Sequence, residues 1–331
     1  MTTLAPEFSS CLDTLKHGGS LDGASLEALM DLRRDEQEFL ASEWQAIPAG
    51  IRIDLMDRVA ERTATDVTAD FTALGAVAIA DEQAQVRRFA IEVLAESMEW
   101  RAADKLVRAL REDADGLVRT AAAASLEDWA IQADADLLDA EQAEEIISAL
   151  RNAATGLDNP AEVRAAALVS VAGVSQEWVE PLISDFYYDE ERLLRLAAVA
   201  AMGGSGLESW LDFLDEQLQS DDAEFRLAAV TSVGELGIPS TVEAVGALLE
   251  DEDDDVVAAT IAALGEIGGP VAVDFLEGFL EDADPEYIDA IETALEYARD
   301  PAFSGYIEDD DGAEERGRRA DHRRFAEEND E

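Results

Sequence analysis

Carboxylates are the chemically active side chains that this sequence offers in quantity: 76 of its 331 residues are Asp or Glu. The densest run, Asp251 to Asp255, has oxygen atoms of the kind that bind hard cations, but it lacks the alternating ligands and central glycine of a calcium loop. We therefore interpret this run as a solvated turn. The glycine-rich run from Met202 to Gly206 follows a helical pattern rather than a strand, so it predicts a turn and not a phosphate-binding loop.

Most other catalytic chemistry needs residues that the body of the chain lacks. Between Gly18 and Asp321 there is no His and no Cys, and Lys105 is the only Lys. A Ser-His-Asp or Cys-His arrangement, a zinc site with the usual His and Cys ligands and most Schiff-base chemistry are therefore excluded from this region. We expect a non-catalytic protein with no catalytic residue, no cofactor and no metal.

Charged residues also recur at a regular spacing that favours a structural role. In four places an Asp stands six residues before an Arg that follows an apolar residue. A planar guanidinium hydrogen-bonded to a carboxylate fixes the orientation of both groups, so the pattern predicts a ladder that aligns successive helices. The ladder residues are Asp81 and Arg87, Asp113 and Arg119, Asp158 and Arg164, Asp189 and Arg195, and finally Arg226, which follows Ser220 instead of an Asp.

The same positions mark an internal repeat. Its anchors are Val86, Val118, Val163, Leu194, Phe225, Val256 and Tyr287, of which the last five are each 31 residues apart, and an outlying IRIDL begins at Ile51. Apolar or small residues recur at the third, fourth and seventh positions after each Arg site, which is typical of an amphipathic helix. The stretch before each anchor indicates another helix that ends in an acidic turn. Because a single hairpin cannot bury its own apolar face, we predict an all-α protein, a right-handed α-solenoid (α-α superhelix) of about seven to eight helical hairpins.

The ends of the repeat and one interruption predict the domain organisation. Residues 1–50 are expected to form an N-terminal helical cap, 51–300 the solenoid and 301–331 a charged, flexible tail. The one spacing of 45 residues predicts a longer loop and an extended helix start near 130–145, either a plain insertion or a feature specific to a partner. The apolar residues of the cap are Leu26, Leu29, Leu32, Phe39, Leu40 and Trp44.

The tail contains the dense basic cluster of the chain. Two interpretations stay open: the cluster is solvated or docks onto the chain itself, or it contacts an anion or nucleic acid. Its residues are Arg316, Arg318, Arg319, Arg323 and Arg324, beside His322.

The formal net charge of -52 predicts that the protein works at high salt concentration. Of the 24 basic residues all except Lys16 and Lys105 are arginines. So large an acidic excess repels itself in dilute buffer, whereas about 1 M salt shortens the Debye length to about 3 Å. The composition resembles that of proteins from salt-accumulating haloarchaea. In low salt it also disfavours nucleic acid and anionic membranes as partners.

Cysteine usage and hydropathy indicate where the protein works. Cys11 is the only cysteine, which excludes an intramolecular disulfide and is typical of a reducing interior. No run approaches 18 apolar residues, and MTTLAPEFSS lacks the basic start and apolar core of a signal peptide. We expect a cytoplasmic protein without membrane contact.

The period, the D-x5-R spacing and helix ends such as GELG and GEIG resemble those of HEAT-repeat proteins of the short, phycobilisome-lyase-like subtype, over roughly residues 51 to 300. More narrowly, LMDLRRDEQEFLASEWQAIPAGIRIDLMDRVAE with Trp44, then DFTALG and AMGGSGLESW, resemble a group of bacterial and haloarchaeal HEAT proteins that includes those labelled conditioned-medium-induced. The resemblance implies HEAT-type hairpins, an Asp/Arg ladder between them and scaffolding or adaptor work, with no catalytic residue to transfer. Lyase relatives attach bilins to phycobiliproteins, and HEAT-like DNA glycosylases use a strongly basic concave face that this chain does not show.

Three hypotheses about function follow. The first is a non-catalytic scaffold or adaptor that binds another protein along the concave face of the solenoid. The alternative is a factor associated with nucleic acid, ribosome or polymerase through the Arg-rich tail. A weaker alternative is a bilin-lyase-like enzyme.

A stripe of uncharged residues gives the first hypothesis a candidate surface. The first and fifth positions after each anchor Arg point away from the apolar helix face, and those in the middle of the chain carry no charge. The stripe is interpreted either as tight packing between hairpins or as a groove for a helix or extended segment. Its residues are Ala165, Val169, Leu196, Ala200, Leu227, Thr231, Ala258 and Ala262.

Overall fold

A computed structural model of the chain describes residues 4–299, and every regular element in that range is a helix. The predicted all-α fold is therefore confirmed. The chain divides into two compact units, unit 1 of Met1–Gln176 and unit 2 of Glu177–Glu331. The predicted domain boundaries at residues 50 and 300 stay predictions.

Unit 2 repeats one helical hairpin four times in its described part. The second helix of each hairpin packs on its own first helix and on the second helix of the next hairpin. The first helices are α12 (Val179–Tyr187), α14 (Leu211–Leu218), α16 (Val242–Gly246) and α18 (Gly269–Leu280), and the second helices are α13 (Arg192–Gly204), α15 (Ala223–Leu236), α17 (Asp254–Ile267) and α19 (Ile288–Arg299).

The acidic turns inside the hairpins begin the second helices. The carboxylate of Asp222 accepts the backbone N–H of Glu224 at the start of α15, and that of Asp253 accepts two backbone N–H groups at the start of α17. Such carboxylates satisfy amides that have no partner inside the helix and lie at the positive end of its dipole. At its other end α15 stops at Gly237, whose φ of 60° is left-handed and favours glycine.

Glycines let the second helices of unit 2 approach one another closely. Three of them recur 31 residues apart, each against a small residue of the next helix: Gly203 against Ser232, Gly234 against Ala263 and Gly265 against Ala294. A Cβ atom at any of the three would come within 2.6 to 3.0 Å of that neighbour, which no side chain tolerates without a shift. The Ser232 hydroxyl also donates across the contact to the Val199 carbonyl, at 2.9 Å. The run from Met202 to Gly206 was predicted as a turn, but its residues through Gly204 belong to α13 because this contact needs glycine within the helix.

Unit 1 has a comparable succession of second helices, each packed on the next. These are α4 (Ala49–Thr65), α6 (Ala84–Ala95), α8 (Gly116–Ala124) and α11 (Ala161–Ser170), and α5 (Thr72–Ala78), α7 (Trp100–Glu112) and α10 (Ala140–Thr155) precede the last three as first helices. Three further helices lie in the N-terminal region of the unit: α1 (Pro6–Lys16), α2 (Gly23–Leu26) and α3 (Arg34–Glu43).

The lengthened repeat of unit 1 contains an additional helix where the sequence predicted a longer loop. This helix, α9 (Glu127–Asp134), buries Trp129 and Ala130, and the Trp129 ring packs edge-on against Trp100 with 6.3 Å between ring centroids. The predicted long helix after it is present, because α10 has 16 residues and begins at Asp139, whose carboxylate caps it. The loop was predicted from the polar composition of this stretch. That prediction did not take into account the burial of one large aromatic side chain, Trp129, which stabilises a helix here.

The N-terminal helices share a hydrophobic core with α4, α5 and α6. Of the residues predicted to cover the first repeat, Leu32 is half-buried and Phe39 is 40% exposed. The buried ones are Leu26, Leu29, Leu40 and Trp44.

A buried carboxylate ties the chain start to α3. Glu36 accepts the Arg33 guanidinium at 2.8 Å, and it accepts the backbone N–H groups of Ala5 at 3.1 Å and Arg33 at 3.2 Å. The hydrogen bond from the Arg33 side chain is the main cause that lowers the pKa of Glu36 to about 2. The ionised form of Glu36 therefore stabilises this arrangement.

Candidate interaction surface

The ladder arginines join successive repeats through two kinds of acceptor. Arg87 donates two hydrogen bonds, at 2.7 and 2.8 Å, to the carboxylate of Asp113 in the following hairpin turn. It also donates to the main-chain carbonyl of Asp81, six residues earlier, at 2.9 Å. Burial raises the pKa of Asp113, but the hydrogen bonds from Arg87 and a backbone amide outweigh that effect and the pKa is lowered. The carboxylate partner of an arginine thus belongs to the next repeat.

This division of acceptors explains why Ser220 can replace an Asp before Arg226. Arg226 donates to the Ser220 main-chain carbonyl at 2.9 Å, a contact that needs no carboxylate. Its other nitrogens donate to both oxygens of Asp251 at 2.7 Å each, which lowers the pKa of Asp251. The pair is well shielded, with 10% and 6% of the two side chains exposed. Asp251, first of the acidic run, is therefore engaged inside the protein.

The other predicted ladder arginines, Arg119, Arg164 and Arg195, form only some of the contacts that Arg87 and Arg226 form. Arg119 and Arg195 each donate to the main-chain carbonyl of the residue six positions earlier, at 2.7 and 2.9 Å. Arg164 donates to the Ala154 carbonyl at 3.2 Å, whereas Asp158 is exposed. The Nε atom of Arg119 is buried without a hydrogen-bond partner, at the repeat that α9 lengthens. That the ladder aligns the hairpins stays a prediction.

Sequence reasoning missed the first member of the ladder. Arg52 on α4 lies 2.6 Å from the Asp81 carboxylate and donates to the Ile47 carbonyl at 2.6 Å. The Trp44 indole N–H donates to the same carboxylate at 2.6 Å. The side chains of Arg52 and Asp81 are 5% and 0% exposed. The signal was present, since Ile51 and Arg52 form an apolar-Arg pair like the other anchors.

The stripe of uncharged residues in unit 2 is exposed at three of its six positions and half-buried at the other three. On α17 Ala258 and Ala262 are exposed, and on α15 Thr231 is exposed while Leu227 is half-buried. Leu196 and Ala200 on α13 are half-buried as well. The two interpretations, packing between hairpins and a groove, both stay predictions. The six residues, hereafter the central band, are Leu196, Ala200, Leu227, Thr231, Ala258 and Ala262.

Carboxylates border the central band on both sides. Along α15 the side chains of Glu224, Leu227, Thr231 and Glu235 follow one another at helical spacings of three and four, so they share one face. The α17 residues 31 positions later repeat the order, with Asp255 and Glu266 as the acidic ends. All four of these carboxylate residues are exposed, although partial burial raises the pKa of Glu266. We call the central band with its two acidic borders the second-helix face.

One arginine lies beside this face. Arg192, at the start of α13, binds Asp222 through two nitrogens at 2.8 and 2.9 Å and Glu224 at 2.9 Å. Its guanidinium also lies 5.5 Å from the Phe225 ring. Residues 177–299 contain 31 acidic residues against four arginines, so an uncharged band there is a local exception.

Two members of the predicted stripe belong to unit 1. On α11 Val169 is half-buried, whereas Ala165 is buried and is therefore removed from any exposed surface. The basic cluster from Arg316 to Arg324 lies outside the described residues.

Unit 1 has a cleft of about 660 Å³ between its N-terminal region and α4. Apolar side chains such as Leu26 and Phe71 line it together with Arg58 and Arg62. Arg62 pairs with Asp66 at 2.6 Å, and Arg58 donates to the Ser20 hydroxyl at 2.9 Å. Both arginines therefore already have partners within the protein.

Residues 4–299 contain neither a cluster of metal ligands nor a helix suited to cross a membrane. No three of their His, Cys, Asp or Glu side chains are grouped so as to hold a metal ion. No helix in this range has the length and apolar character needed to span a bilayer.

A family model supports the repeat assignment for part of the chain. Residues 211–296 match the family model for HEAT repeats, and no curated protein matches the sequence. Among solved structures, YibA of Escherichia coli is 17% identical with a TM-score of 0.44, covering 90% of this chain and 99% of that chain. A structure of the CpcE–CpcF complex of phycocyanin lyase from Nostoc is 21% identical with a TM-score of 0.49, covering 79% and 94%. Human deoxyhypusine hydroxylase is 19% identical with a TM-score of 0.34, covering 80% and 96%.

The helical hairpins at a 31-residue period and the match over residues 211–296 lead to one assignment. Residues 211–296 are HEAT repeats.

Proposed function

We propose that this protein is a non-catalytic interaction scaffold and that the second-helix face of unit 2 binds a polypeptide segment of another protein. The observation that carries the proposal is the uncharged central band within a strongly acidic unit, with three of its six residues exposed and the other three half-buried. Exposed apolar surface that is contiguous on a soluble protein usually marks a contact site. HEAT repeats support the same function, because stacked repeats create extended binding surfaces.

The face also defines the chemistry of its partner. Leu196 and Leu227 present the larger apolar side chains, and the alanines of α17 leave a shallow floor beside them. A segment with small apolar side chains at its centre and Lys or Arg at its edges complements the band and both acidic borders. The carboxylates repel nucleic-acid phosphates, which favours a protein partner over nucleic acid.

The competing functions make different predictions for the same preparation. A factor bound to ribosome or polymerase through the Arg-rich tail would lose its partner on nuclease treatment. A bilin-lyase-like enzyme would carry chromophore or phycobiliprotein with it. The scaffold predicts capture that resists nuclease and contains no chromophore.

We further propose that the protein works in a salt-adapted cytoplasm. The net charge of -52 supports this, because unscreened carboxylates destabilise a compact chain over the ~30 Å Debye length of about 0.01 M salt. Melting followed by circular dichroism at falling KCl tests it. The melting temperature should fall on dilution, and a constant value would contradict the proposal.

The decisive variant of the binding face is Leu196→Glu combined with Leu227→Glu. Because both side chains are only half-buried, the variant should fold, whereas two added carboxylates should repel a basic partner segment. Pulldown from lysate kept at high salt, with and without nuclease, compares it with the native protein, and circular dichroism checks folding. A folded variant that captures the same partner with undiminished yield would refute the proposed face.

Leu207→Glu is the matched control. Leu207 is 39% exposed and precedes α14, away from the central band. The same change of side chain there should leave capture unchanged. Equal loss in both variants would show that added charge, rather than the face, causes the effect.

A further inference from the structure

We infer that the outer side of α9 is a second interaction surface, which binds a segment of another protein that has an apolar side chain between Lys or Arg residues. This α9 surface consists of the apolar pair Ile131 and Leu137 and the carboxylates of Glu127, Asp128 and Asp136. It lies in unit 1, so the inference does not depend on the second-helix face of unit 2.

The helix α9 buries one side and exposes Ile131 on the other. Its buried residues are Trp129, Ala130 and Ala133. At about 100° per residue Ile131 lies on the opposite side of the helix, and it is 48% exposed. Because α9 belongs to the one lengthened repeat, the regular hairpins have no equivalent of this helix. The architecture of the repeat therefore does not account for an exposed isoleucine at this place.

The end of α9 brings Leu137 toward Ile131. The Leu137 backbone N–H donates to the Gln132 carbonyl at 3.0 Å, and that of Asp136, whose φ is 57°, donates to the Ala133 carbonyl at 3.4 Å. These two bonds around a left-handed residue define the Schellman motif, in which the residue after the left-handed one commonly packs against the helix residue six positions earlier. Here that residue is Ile131. Leu137 is still 71% exposed, so the pair presents apolar surface to solvent.

Three carboxylates next to the pair have no partner among residues 4–299. Glu127 and Asp128 precede Ile131 by four and three positions and share its side of the helix, and Asp136 directly precedes Leu137. All three are exposed, and none of them forms a hydrogen bond or an ion pair through its side chain within the described part of the chain. Partial burial, followed by the charge of Asp128, raises the pKa of Glu127. These carboxylates can therefore accept cations from outside the protein.

Charge decides between the possible occupants of the α9 surface. Residues 120–150 contain eight acidic residues and no Lys or Arg, so α9 and its flanks supply no cation. A second copy of the chain would add the same carboxylates, and nucleic acid would add phosphates, which are also repelled. A polypeptide segment with Lys or Arg on both sides of an apolar residue covers the pair and neutralises its borders.

Photo-cross-linking with a defined peptide tests the surface on the full-length chain. The probe is a synthetic six-residue peptide with two leucines at its centre and Lys or Arg at the other positions, in which a benzophenone side chain replaces one leucine. At about 1 M salt the Debye length is about 3 Å, so the net charge of the whole chain does not attract the probe. Mass spectrometry should locate cross-links within residues 127–138. Their absence from this range would overturn the inference.

Ile131→Ser combined with Leu137→Ser removes the apolar pair. Because both side chains are exposed, the variant should fold, as circular dichroism can check, and cross-linking within residues 127–138 should fall at least about tenfold. Leu207→Ser combined with Val271→Ser is the matched control, since these side chains of unit 2 are 39% and 44% exposed. The control should keep the native yield. Undiminished cross-linking of the first variant would refute the role of the pair.

The charged part of the surface is tested by Glu127→Gln combined with Asp128→Asn. At about 0.1 M salt, where the Debye length is about 10 Å, this variant should cross-link at least about threefold less than the native chain. An unchanged yield would overturn the requirement for Lys or Arg in the partner.

A variant of unit 2 separates this inference from the proposed function. Leu196→Glu combined with Leu227→Glu changes the second-helix face and should leave cross-linking within residues 127–138 unchanged. Loss of these cross-links would show that the probe depends on the other face, and it would overturn the inference. Failure of the α9 surface would in turn leave the proposed function intact, because partner capture by the second-helix face is measured with its own variants.

Discussion

Arg52 in unit 1 and Arg192 in unit 2 make the same kind of ion pair in opposite surroundings. Arg52 and Asp81 are 5% and 0% exposed, and the Trp44 indole completes the cluster. Arg192 and Asp222 are 43% and 40% exposed on a surface that already holds Glu224. An unpaired charge left inside a protein costs far more than one left in water, so the same pairing has different consequences in the two units.

A second contrast concerns the residue eight positions after the anchor Arg, or after Val257, which takes the place of that Arg in α17. In unit 2 it is glycine in three successive hairpins, Gly203, Gly234 and Gly265, and the second helices meet there closely. In unit 1 the equivalents after Arg52, Arg87 and Arg164 are alanines, and after Arg119 it is Glu127 at the start of α9. Regular spacing and glycine occur together in the unit whose second helices present the central band.

The largest effect should come from Arg52→Met. It leaves the Asp81 carboxylate buried without its cation, and such losses cost about 3–5 kcal/mol. Arg192→Met is the matched control and should cost no more than about 1 kcal/mol, because its pair is exposed. Denaturant unfolding at constant salt measures both. If Arg192→Met lowered the free energy of unfolding as much as Arg52→Met, the buried and the exposed ion pair would not differ in their contribution to stability.

Gly203→Ala should have an intermediate effect that belongs to unit 2 alone. The new Cβ atom would lie 2.6 Å from the Ser232 Cα atom, so α13 and α15 must move apart. Overpacking of this kind costs about 1–3 kcal/mol. In α18 a Cβ at Gly278 meets nothing within 4 Å, and Gly278→Ala should be neutral or stabilise by up to about 1 kcal/mol. Thermal melting of the pair checks this, and equal melting temperatures would argue against the close helix contact.

The smallest effect concerns acid and the N-terminal region of unit 1. The pKa of Glu36 is lowered to about 2, so its ionised form stabilises the fold above the usual glutamate range, and this stabilisation is lost as the pH falls toward 2. NMR of the Ala5 amide between pH 5 and pH 2 should report loss of its hydrogen bond. Other carboxylates titrate there too, so Glu36→Gln serves as control and should abolish this transition. An identical transition in both proteins would assign it to other groups.

The ladder illustrates how far spacing alone could lead. The Asp-x5-Arg pattern predicted a ladder that aligns successive helices, and this role stays a prediction. Arg87 uses the main chain of Asp81 and the side chain of Asp113, a distinction that spacing cannot express because both lie near the same guanidinium. The helix α9 was also missed because spacing along the chain does not show tertiary contacts. Its stability depends on the burial of Trp129.

By itself the sequence determined the helical repeat, because apolar periodicity and the 31-residue spacing specify amphipathic hairpins whatever their neighbours are. It also determined the acidity and the lack of His and Cys in the body of the chain. Only the tertiary structure decided which residues of the uncharged stripe of unit 2 face solvent. Exposure depends on how closely the neighbouring helices approach each position, which spacing along the chain does not express: Thr231, Ala258 and Ala262 are exposed, whereas Leu196, Ala200 and Leu227 are half-buried.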